Sequence, residues 1–61
     1  MRLIFLNSDV ARAKDILESN GIRVLLQEAS SGEFELTVRS EHFERALELL
    51  AAAGIEVTHT R

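Results

Sequence analysis

Histidines, carboxylates and hydroxyls are the groups in this 61-residue chain that could do chemistry, and spacing decides whether they can act together. His42 and His59 stand far apart, and neither has a second donor two positions along a strand or four along a helix, where two ligands reach one metal ion. Glu33 and Glu35 would share one strand face, but Arg2, Arg23 and Arg39 are available to neutralise them, and a general acid and base pair needs a cleft with shifted pKa values. Ser8, Ser30, Ser31 and Ser40 fall in turns and at helix starts, with no histidine or lysine placed to activate them. The three glycines stand singly, so there is no phosphate-cradling loop, and the absence of cysteine removes thiolate chemistry and disulfides. No enzyme activity, cofactor or metal site is expected.

Composition narrows the remaining classes. With 46% apolar and 28% charged residues and no proline, the chain reads as one globular unit over 1–61 without a linker. A domain this small hides only about 60% of the surface its unfolded chain exposes, so marginal stability or self-association is expected. The formal charge of -3, with seven scattered lysines and arginines, argues against a nucleic-acid partner, since such affinity comes from clustered cations. The apolar runs Leu3–Leu6 and Leu49–Ala53 are far short of the ~20 residues of a membrane span. No membrane association and a cytoplasmic location are therefore the expectation.

The elements that must position these groups can be read in order. Arg2–Leu6 is apolar and branched enough for a strand, and Asn7 or Ser8 is the candidate cap of a helix whose buried stripe is Val10, Ala13, Ile16 and Leu17. Gly21 ends that helix. Ile22–Ala29 reads as a second strand, Ser30-Ser31-Gly32 as a turn, and Phe34, Leu36 and Val38 alternate with polar residues as a third strand. Ser40 is the candidate cap of a second helix, with Glu41 in reach of Arg45 and a stripe of Phe43, Ala46, Leu47, Leu50 and Ala53. Beyond Gly54, the last strand alternates Ile55, Val57 and His59 against Glu56, Thr58 and Thr60.

An internal repeat turns this order into a fold. A shift of 33 residues lays Leu3 on Leu36, Arg12 on Arg45, Ala13 on Ala46, Leu17 on Leu50, Gly21 on Gly54, Ile22 on Ile55 and Val24 on Val57. Each half, about 1–28 and 33–61, is then one βαβ unit, and two right-handed crossovers give an α+β, ferredoxin-like βαββαβ sandwich. Its four-stranded antiparallel sheet has the order 4-1-3-2, with both helices on one face. The same shift points Leu3 and Phe5 at the helices and leaves Ile4 and Leu6 on the open face. With Leu25 these form a candidate interaction surface, for contiguous exposed apolar area marks a docking site. RNA-recognition domains of this topology stack bases on aromatics of the central strands, whereas the outward positions expected here are Ile4, Leu6, Glu35, Thr37 and Arg39.

The run Val38 to Leu50, together with the opening strand and Leu17-Glu18-Ser19-Asn20-Gly21-Ile22, resembles a small bacterial signal-transducing family of unknown function. Residues Ala46 to Val57 also resemble the end of an ACT domain, a module that binds amino acids and regulates metabolic enzymes. ACT domains place a glycine in the loop after the first strand, where this chain has Asn7-Ser8-Asp9. The expected function is a non-enzymatic regulatory or protein-interaction module; the apolar patch of Ile4, Leu6 and Leu25 adds self-association through the open sheet face or an edge strand, with another protein as a further partner. An ACT-like sensor is the alternative; its ligand carboxylate would sit at Asn7, Ser8, Asp9 and Val10. Regular element lengths fit a third reading, a designed scaffold without a function.

Overall fold

The two helix ends are built by the same local device, and it accounts for the strongest part of the repeat. In the computed structural model, which describes residues 1–61, Gly21 has φ +80 and Gly54 φ +75, backbone that an L-residue enters only with strain. The Gly21 N–H donates to the Glu18 carbonyl at 3.0 Å and the Ile22 N–H to Leu17 at 2.9 Å. Gly54 donates to Ala51 at 3.0 Å and Ile55 to Leu50 at 3.0 Å. Both ends are Schellman motifs, in which the residue after glycine packs back on the last turn. Leu17, Ile22, Leu50 and Ile55 are accordingly all buried.

The chain runs β1 (Arg2–Leu6), α1 (Val10–Ser19), β2 (Leu25–Ser30), β3 (Glu33–Val38), a 3₁₀ turn (Ser40–His42), α2 (Phe43–Ala52) and β4 (His59–Thr60). All strand pairings are antiparallel, in the order β2-β3-β1-β4, so the first and third strands are central as expected. One core cluster joins Ala13 and Leu17 of α1 and Phe43, Ala46 and Leu50 of α2 to Ile4, Leu6, Leu36 and Val38 of the sheet. Both helices therefore cover one face, and the fold is the ferredoxin-like sandwich.

The facing of β1 is opposite to that expected. Ile4 pairs with Leu36 and Leu6 with Phe34, and directly opposed residues share a sheet face, so Ile4 and Leu6 point at the helices and are fully buried. Leu3 and Phe5, opposite Thr37 and Glu35, lie on the open face. The cause is one residue of loop. Three residues join β1 to α1, whereas four, including the 3₁₀ turn, join β3 to α2. The helices and glycine stops thus repeat at 33 residues while the strands repeat at 32, Ile4 matching Leu36 and Leu6 matching Val38. A slip of one position moves every side chain to the other face. The Arg2 guanidinium, 4.1 Å above the Phe43 ring, lies on the helix side as this facing requires.

Helix starts and outer strands also depart from expectation. Asp9, not Asn7 or Ser8, is the N-cap of α1; it sits in the left-handed region at φ 57 and makes no side-chain cap bond, and its carbonyl accepts from the Ala13 N–H at 2.8 Å. Ser40 opens the 3₁₀ turn instead of capping α2, whose N-cap is His42. Glu41 pairs with Arg39 at 3.0 Å and not with Arg45. Ile22 and Val24 are buried, but they precede β2, which begins at Leu25. The last strand shrinks to His59–Thr60, flanked by the Thr58 N–H donating to Phe5 at 2.8 Å and by Leu3 and Arg61 exchanging bonds at 3.1 and 2.9 Å.

Candidate interaction surface

Where the apolar residues of the expected patch lie decides what the sheet can offer a partner. Only Leu25 of the three is exposed, at 58%; Ile4 and Leu6 are core residues and cannot dock anything without unfolding. The open face instead carries Leu3 and Phe5 of β1, Glu33, Glu35 and Thr37 of β3, and Leu25 and Gln27 of β2. An aromatic does therefore face outward from a central strand, contrary to the expectation for this face. Phe5 is nevertheless 4% exposed.

The cover over Phe5 comes from β4. The His59 ring stacks on Phe5 with centroids 4.1 Å apart and planes 11° from parallel, and the Arg61 guanidinium stands 5.6 Å from the same ring. His59 Nδ1 lies 3.6 Å from Glu33 Oε2. The Thr58 hydroxyl donates to the Phe5 carbonyl at 2.8 Å, and Thr58 Oγ1 is also 3.2 Å from Glu33 Oε2. Sequence periodicity put His59 on the face of Ile55 and Val57, but residues 55–58 are not in strand conformation and the alternation does not carry through them. Glu33, His59 and Thr58 are brought together here. The arrangement fastens β4 across Phe5, since Thr58 engages the main chain of β1.

Elsewhere the expected groups stay apart. Asn7, Ser8 and Asp9 are exposed and Val10 is half-buried, with no side-chain hydrogen bond to the start of α1. His42, in the 3₁₀ turn, lies 3.7 Å from Glu41, whereas His59 lies in β4 against Glu33. No group of three or more His, Cys, Asp or Glu side chains is placed to hold a metal ion, and no helix is long and apolar enough to cross a membrane.

The uncovered element is β2. All six of its residues are exposed, and two leucines stand side by side on it, Leu25 at 58% on the open face and Leu26 at 39% on the helix face. The hydrogen-bond phase of the sheet identifies its free main-chain groups. Leu3 exchanges both bonds with Arg61, so the odd residues of β1 turn their N–H and C=O groups toward β4 and the even ones toward β3. By alternation, Thr37 and Glu35 face β2, where they meet Leu25 and Gln27. Leu26 and Glu28 are left with outward-facing donors and acceptors. Such an edge is a template for another strand. Comparison with protein-family models, with curated proteins and with solved structures finds no match.

Proposed function

We propose that the chain is a non-enzymatic protein-interaction module that pairs with a second copy of itself along β2, joining two sheets into one of eight strands. The observation that carries this reading is the free main chain of Leu26 and Glu28 beside two exposed leucines. Antiparallel pairing about a twofold axis sets like faces opposite each other, which leaves few registers. Centring on Glu28 opposes two carboxylates, and centring on Gln27 sets Leu26 against a carboxylate. Centring on Leu26 places leucine against leucine, with Leu25 opposite Gln27 of the copy. Apolar pairs stabilise adjoining strands and like charges oppose them, so the Leu26-centred register is preferred. Pairing of this kind makes the module's state depend on its own concentration, a simple basis for a regulatory role.

A strand-edge contact is small, so association at tens of micromolar is expected, not tighter. Sedimentation velocity across that range should show a reversible dimer that Leu26→Lys converts to monomer with an unchanged circular dichroism spectrum. A wild-type chain that stays monomeric throughout overturns the reading.

A further inference from the structure

Beyond the edge, one end of the open sheet face holds a cleft of about 790 Å³, lined among others by Met1, Arg23, Leu25, Thr37, Arg39 and Glu41. Its charge is unusual for this chain. The β2–β3 register sets Leu25 opposite Thr37, and Arg23 and Arg39, just beyond the paired residues, line the same cleft. Two guanidinium charges lining one cleft repel each other. Glu41, with Oε1 3.0 Å from Arg39 Nε, offsets one guanidinium, and Arg23 has no ion-pair or hydrogen-bond partner. On a protein of net charge -3, two arginines thus converge on one cleft that holds a single carboxylate.

From this the geometry points to a binding site for a small anion carrying an apolar body, a phosphate monoester or a carboxylate. The anionic head lies between Arg23 and Arg39, where guanidinium forks match planar or tetrahedral oxyanions and where its charge relieves the repulsion between them. The apolar body lies on Leu25 and the Met1 side chain, 58% and 82% exposed, over buried Val24. The volume is that of an ordinary small-molecule site. The site shares Leu25 with the pairing proposed for β2, so the titration below is repeated on the Leu26→Lys chain, where shifts that persist belong to the anion site and not to the paired edge.

The test is an amide-resolved NMR titration of the wild-type chain with phenyl phosphate, hexanoate and inorganic phosphate. Phenyl phosphate or hexanoate should give saturable shifts confined to residues 23–25 and 37–41. Whichever binds tighter identifies the head group. Arg23→Gln should weaken binding about tenfold, in line with loss of a charge-assisted hydrogen bond, and adding Arg39→Gln should abolish it. Both side chains are exposed, so the variants keep the wild-type fold, checked by their unshifted core resonances. No saturable shift with either amphipathic anion overturns the proposal, as does equal binding by the double variant. If inorganic phosphate binds as tightly as phenyl phosphate, the apolar part of the assignment is wrong.

Discussion

Replacing Ile4 and Leu3 in turn by alanine tests the facing of β1, on which every statement about the sheet surface rests. Ile4 is fully buried among Leu36 and both helices, and deleting a buried isoleucine to alanine costs about 2–5 kcal/mol. Leu3 is half-buried on the open face, and loss of a half-covered leucine costs about 1 kcal/mol. A chain of 61 residues has a total stability of about 3–9 kcal/mol, so the first change removes a large share of it and the second does not. With a urea dependence of about 1 kcal/mol per molar, the unfolding midpoint should fall by about 2 M or more for Ile4→Ala and by about 1 M for Leu3→Ala. Ile4→Val, expected to cost about 1 kcal/mol, keeps the series readable should the alanine variant not fold. Urea titrations followed by circular dichroism provide the measurement. A larger loss for Leu3→Ala than for Ile4→Ala would restore the opposite facing and return Ile4 and Leu6 to the surface.

The hydrogen-bond phase of β2 makes a second contrast. Gln27→Pro removes a donor directed at β3 and should lower the midpoint in urea, whereas Glu28→Pro removes an outward donor and should leave the monomer's stability nearly intact while weakening self-association; equal destabilisation by the two would refute the phase. At Gly54, with φ +75 and open space where a β-carbon would stand, alanine meets strain but no clash. Gly54→Ala should therefore cost about 1 kcal/mol, lowering the thermal midpoint by about 4–8 °C, with Gly54→Asn less harmful; an unchanged midpoint in Gly54→Ala would remove the Schellman argument.

What could be read from residues alone was whatever local chemistry determines. Leu17, Gly21 and Ile22 and their counterparts Leu50, Gly54 and Ile55 each complete a motif within six residues, so their repetition located both helix ends and, through two βαβ units, the fold. The helix starts were harder. Asn7, Ser8 and Ser40 are good capping types, but the chain leaves β1 through a left-handed Asp9 and leaves β3 through a 3₁₀ turn, and neither geometry needs a side-chain cap. Both routes are compatible with the same residues. The difference of one loop residue between them is invisible to a repeat anchored on the helices, and it reversed the facing of Ile4 and Leu6. Alternation misplaces His59 for a related reason, because no strand exists over residues 55–58 to carry it.

That reversal also moves the proposed site of association. With Ile4 and Leu6 inside, the open face has at its centre an aromatic that its own chain covers, since His59 stacks on Phe5 and Thr58 ties the covering segment to β1. Apart from Leu25 on its edge strand, the face is left with half-buried Leu3, Glu33, Glu35 and Thr37, a poor surface for apolar docking across its centre. The two sheet edges are unequal as well. At one, β4 offers two residues, and short edge strands are a means of discouraging further pairing. At the other, β2 offers six residues with leucines on both sides of the ribbon and no helix or loop laid over it. Apolar side chains that flank free main-chain groups on both faces are buried together when a strand is added, and on one face only when a flat surface docks. The edge is therefore where the proposed partner gains most, with the register centred on Leu26 preferred.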